Sequence, residues 1–77
     1  MEITGELENK LYILRATQKW SQQEVADRLG VSRQTIASIE ANRYNPSLIL
    51  AFKISRLFGV DINDVFQYME FSEEDEV

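Results

Sequence analysis

The chain has 77 residues, enough for one small domain with a modest core, and it contains neither cysteine nor histidine. Disulfides, thiolate- or imidazole-held metals and the Ser/His or Cys/His nucleophilic arrangements are therefore excluded, and three glycines in all leave no glycine-rich phosphate loop. No apolar run approaches membrane-spanning length, and the opening MEITGELENK is acidic where a secretion signal is basic. The expectation is a cytoplasmic, non-enzymatic domain without metal or cofactor.

The formal net charge of -5 conceals an asymmetry. All eight basic residues (Lys10, Arg15, Lys19, Arg28, Arg33, Arg43, Lys53 and Arg56) fall between Lys10 and Arg56 with only Glu24, Asp27 and Glu40, a block of net +5, and the remaining acids sit at the two ends. Long-range attraction of a polyanion should be weak, leaving recognition to direct contacts.

In chain order, Leu7, Leu11 and Leu14 fall at i, i+4 and i+7 and predict a first helix from Gly5 or Glu6 to Gln18. Ser21 is placed to cap a second helix with Glu24 reaching back to it, and Trp20 to staple onto Val25. Val25, Ala26 and Leu29 give that helix one apolar face, with Ala26 small where another helix crosses closely. Gly30 ends it in the left-handed conformation. Val31 and Ser32 open a third helix as staple and cap, with Ile36 and Ile39 inward and Arg33, Gln34, Thr35 and Ser38 outward. Asn45-Pro46-Ser47 reads as a turn whose serine caps a fourth helix ending at Gly59, and Asp61 caps a short fifth with Asp64 in its first turn. The closing FSEEDEV carries four acids and is expected to fray. This divides the chain into a domain over 1–69 and an acidic tail over 70–77.

Two short helices hinged at Gly30 form a unit over 22–41 that places its second helix in a DNA groove. The outward set suits that chemistry. Arginine bridges guanine O6 and N7, glutamine bridges adenine N6 and N7, threonine offers a methyl to thymine, and serine donates or accepts. Any surface helix has a polar face, so the residue types alone decide nothing. The two caps, the glycine turn and the small crossing residue favour the DNA reading. The fourth helix is apolar on several sides. Either the small core absorbs that surface or part of it, with the segment that follows, forms a self-complementary dimer contact, for which Ile49, Leu50, Phe66 and Met69 are the candidates.

From about Lys10 to Phe66, most specifically through SQQEVADRLGVSRQTIASIE and RYNPSL, the sequence resembles the helix-turn-helix family of phage Cro and repressor proteins, the xenobiotic-response-element regulators. The resemblance implies an all-α, compact five-helix lambda-repressor-like domain. It further implies that Gln22 contacts a phosphate, that Arg33, Gln34, Thr35 and Ser38 face the bases, and that Arg43, Tyr44 and Asn45 grip the backbone. Arg15 and Glu40 are implied to pair inside the fold, joining Ala26 and Gly30 as structural positions. Ala37 departs from the family's pattern, which often has a longer polar side chain there. Family members commonly pair through the C-terminal region. The function implied is a dimeric repressor of double-stranded DNA acting by occupancy of an inverted-repeat operator. The alternative is a protein-interaction module such as an antitoxin that binds a partner protein and regulates its own operon.

Overall fold

The serine caps read in the sequence, Ser21, Ser32 and Ser47, form their hydrogen bonds in the computed structural model, which describes residues 3–72, whereas at the fifth helix it is the Asp61 amide that donates to Asp64 Oδ2, at 3.1 Å. The described residues form β1 (Ile3–Asn9), α1 (Leu11–Thr17), α2 (Gln22–Leu29), α3 (Arg33–Glu40), α4 (Leu48–Phe58), α5 (Ile62–Val65) and β2 (Phe66–Ser72). Ser21 Oγ accepts from the Glu24 amide at 3.0 Å while the Ser21 amide donates to Glu24 Oε1 at 3.2 Å, a reciprocal cap that satisfies two otherwise orphan donors at the start of α2. Ser32 caps α3 through the Thr35 amide at 3.1 Å, and Ser47 caps α4 through the Leu50 amide at 3.1 Å. Between α2 and α3, Gly30 sits at φ 75°, where a Cβ would be strained although the space around it is open.

The helices close around Leu11, Val25, Ala26, Leu29, Ile36 and Ile39 together with Leu50, Ala51, Ile54, Val65 and Phe66. Trp20 packs against this cluster with its ring 5.6 Å from that of Phe58, and the Arg28 guanidinium lies 4.2 Å from the Trp20 ring centre. Leu50 and Phe66, expected at a dimer contact, are core residues at 8% exposure each. Helical phase explains the first, because Leu50 shares a face with Ile54 and not with its exposed neighbour Ile49.

The all-α expectation is corrected by the pairing of the two ends. β1 and β2 form an antiparallel two-stranded sheet in the register Gly5↔Glu70, Leu7↔Tyr68 and Asn9↔Phe66. The first helix is accordingly shorter than predicted, starting at Leu11. Leu7 packs against the core from a strand, so its spacing to Leu11 and Leu14 was helical only by coincidence. At Gly5, the backbone of Met69 and the ring of Tyr68 come so close that a Cβ would collide with both. The ribbon is rooted by the Lys10 amide, which donates to the Val65 carbonyl at 2.8 Å. β2 continues through Ser72, beyond the expected junction between Met69 and Glu70, and residues 73–77 of the acidic tail lie outside the described residues.

Candidate nucleic-acid interface

Because Ile36 and Ile39 are buried, the phase of α3 turns Gln34 to solvent and leaves Thr35, Ala37 and Ser38 half-buried on its flanks. Gln34, Thr35 and Ser38 line a shallow depression of about 380 Å3 together with Ser32, Arg43 and Tyr44. Three of the four expected base-facing residues thus meet two of the four expected backbone-contacting residues on one surface. Within it, the Ser32 and Thr35 hydroxyls share a hydrogen bond of 2.9 Å, which leaves each of them further hydrogen-bonding capacity.

Arg33 and Asn45 stand outside this depression. Arg33 Nη1 donates to Gln22 Oε1 at 3.1 Å, and Gln22 Nε2 donates to Glu40 Oε1 at 3.0 Å. A carboxylate accepts and a guanidinium only donates, so a single orientation of the Gln22 amide satisfies both neighbours. One amide hydrogen of Gln22 remains for an external acceptor. Glu40 is held in turn by Arg15, whose Nε and Nη2 donate to it at 2.7 and 3.2 Å while Nη1 donates to the Trp20 carbonyl at 3.0 Å. Hydrogen bonding to Glu40 raises the Arg15 pKa above its ordinary value, with burial opposing it. The relay Arg15–Glu40–Gln22–Arg33 therefore ties the first helix of the domain to both helices of the hinged unit and sets the Arg33 guanidinium beside the start of α2.

Asn45 instead borders a cavity of about 500 Å3 with Gly5, Glu6, Leu7, Asn42 and Tyr68, on the ribbon side of the loop after α3. That loop begins at Asn42 in the left-handed region, φ 58°, with the Arg43 amide donating to the Ser38 carbonyl at 2.9 Å. Sequence reasoning missed the residue that pins it. Asn9 Nδ2 donates to the Ile39 carbonyl at 2.8 Å and to Asn42 Oδ1 at 2.9 Å, while its Oδ1 accepts from the Leu11 amide at 3.1 Å. An asparagine two positions before Leu11 is a local capping signal, but the contacts to α3 cross 30 residues and leave no mark in the local pattern.

A helix-turn-helix family model matches residues 11–65. The chain is 53% identical over 62 residues to an uncharacterized HTH-type transcriptional regulator of Methanocaldococcus jannaschii, covering 80% of this chain and 94% of that one. It is 37% identical over 49 residues to antitoxin HipB of Escherichia coli, covering 64% of this chain and 52% of HipB. The fold superposes on the crystal structure of a Bacteroides fragilis protein with a TM-score of 0.72 at 24% identity, covering 79% of this chain and 98% of that one.

Proposed function

This chain belongs to the helix-turn-helix family of DNA-binding transcriptional regulators, and we propose that it acts in the cytoplasm as a dimeric repressor that occupies an inverted-repeat operator. The observation that carries this reading is the meeting of Gln34, Thr35 and Ser38 with Arg43 and Tyr44 on one open surface, base-type donors beside backbone-type donors. Arg33 reads a base from the adjacent position while leaning on Gln22. Gln22, Arg43 and Tyr44 fix the register on phosphates, with Asn45 at the margin. Dimerisation follows from reach, since one helix of eight residues covers too few base pairs for useful discrimination. With Leu50 and Phe66 in the core, Ile49 and Met69 remain as apolar candidates. Met69 on the ribbon is the better self-contact, because Ile49 shares its groove with Arg28, Lys53 and Arg56.

Selection of bound sequences from a random DNA pool, followed by titration of Arg33→Ala, tests the reading. The expected product is an inverted repeat with half-sites about one helical turn, roughly 34–36 Å, apart. Arg33→Ala should lose about 1–3 kcal/mol on that operator and nothing on scrambled DNA. Equal losses on both make Arg33 a phosphate contact, and a monomer on a non-palindromic site removes the dimer. The similarity to antitoxin HipB favours a second reading, in which the same domain also neutralises a partner protein. Co-purification of a stable protein partner with the full chain separates the two.

A further inference from the structure

A depression of about 620 Å3 lies between the C-terminal turn of α2 and the length of α4, and it shares no residue with the surface beside α3. Its lining is four apolar residues, Leu29, Ile49, Phe52 and Leu57, and three cations, Arg28, Lys53 and Arg56, with no carboxylate. Ile49, Phe52, Lys53 and Arg56 fall at i, i+3, i+4 and i+7 and so form one stripe of α4. A stripe turned to solvent should be polar, yet Ile49 is 73% and Phe52 49% exposed. Arg28 is already steadied over the Trp20 ring, so less side-chain freedom remains to be lost when it pairs with a ligand.

Charge decides between occupants. A second copy applied through a two-fold axis would set the three cations against three more with no carboxylate between them. Nucleic acid would suit the cations but would leave Ile49 and Phe52 facing hydrated phosphates. A protein segment with carboxylates flanking apolar side chains satisfies both halves of the lining. We infer that this groove docks an acidic amphipathic helix of another protein, its apolar side chains seated on Ile49, Phe52 and Leu57 and its carboxylates paired with Arg28, Lys53 and Arg56.

The probe is a labelled synthetic helix of about four turns, with leucine along one stripe and glutamate on its flanks, titrated against the full chain by fluorescence anisotropy. Binding should weaken with salt, shift the backbone amides of Arg28, Ile49, Phe52, Lys53 and Arg56 in NMR spectra, and fall about tenfold or more in Lys53→Glu/Arg56→Glu. Phe52→Ala should weaken it as well while leaving the charge intact. The circular dichroism spectrum of both variants should stay as in the wild type, and so should the operator affinity of Phe52→Ala, which carries no change of charge. The inference is overturned if the peptide fails to bind, if it shifts α3 instead, or if lysine flanks bind as well as glutamate. A loss of operator affinity on charge reversal, with peptide binding unchanged, assigns the groove to DNA. A dimer that splits on Ile49→Glu assigns it to a second copy. A gain in peptide affinity on removing residues 73–77 assigns it to the chain's own acidic segment.

Discussion

The α2–α3 unit and the β1–β2 ribbon are assembled from segments of similar length, eight and seven residues, but the distances along the chain between partners are very different. α2 and α3 are separated only by Gly30, Val31 and Ser32, whereas the closest ribbon pair, Asn9 and Phe66, lies 57 positions apart. Closing so long a loop in a flexible chain costs about 2–3 kcal/mol more than closing the short one. The folded helices remove that cost, because the Lys10–Val65 bond and the burial of Phe66 hold the strands together at their root. The ribbon therefore depends on the helical core, while the core draws on the ribbon only near its root, through Phe66 and Leu7.

The sharpest way to break this asymmetry is inside α4. Leu50→Glu places a carboxylate at an 8% exposed core position without a partner, and it should cost more than about 4 kcal/mol, most of the stability of a domain this small. Both the helices and the ribbon should melt. Ile49→Glu, one residue away, should stay within about 1 kcal/mol of the wild type. Thermal melts followed by circular dichroism give the comparison, and similar losses for the two variants would mean that the buried face of α4 is not the one through Leu50 and Ile54.

The same contrast in sequence distance explains what the sequence revealed. Ser21, Glu24, Gly30, Ser32 and Ser47 act within three or four residues of themselves, so the boundaries of α2, α3 and α4 were legible from local chemistry. The ribbon was not, since no pattern within Ile3–Asn9 names its partner strand and Leu7 happens to continue the helical spacing of Leu11 and Leu14. At the candidate site, the outward phase of Gln34, Thr35 and Ser38 follows from the inward phase of Ile36 and Ile39. The clasp of Arg33 by Gln22 depends on how α2 meets α3, and Asn45 belongs to the ribbon side for a similar reason. Those are tertiary facts that a linear pattern does not hold.

Two glycines sharpen the comparison, because each is required for a different cause. At Gly30 the backbone is left-handed and the space is open, so Gly30→Val should lose about 1–3 kcal/mol while Gly30→Asn, a residue that tolerates this region, should lose much less. At Gly5 the obstacle is the Met69 carbonyl and the Tyr68 ring, so asparagine should be as damaging as alanine. Hydrogen exchange resolves the outcome by region: either Gly5 variant should expose the amides of β1 and β2 while those of α2 and α3 stay protected. Equal tolerance of asparagine at both positions would contradict the distinction.

The smallest expected effect concerns Asn9, a side chain that links the ribbon to the loop beside the candidate DNA surface. Asn9→Asp keeps an acceptor for the Leu11 amide, but it removes the donor to Ile39 and Asn42 and places a carboxylate against the Ile39 carbonyl. Stability should fall by only about 1–2 kcal/mol. The loop from Asn42 should loosen, and with it the phosphate contact proposed for Arg43, so affinity should drop by a similar factor on operator and scrambled DNA. Arg43→Ala by itself should reduce the salt dependence of binding by about one counterion. If Asn9 acts by positioning that loop, Asn9→Asp should make the salt dependence shallower in the wild type and change it no further once Arg43 is alanine. Titrations at several salt concentrations for the two single variants and the double variant measure this coupling. Additive changes in slope would show that Asn9 does not act through Arg43, and an unchanged slope in Asn9→Asp would confine its role to holding the ribbon on the core.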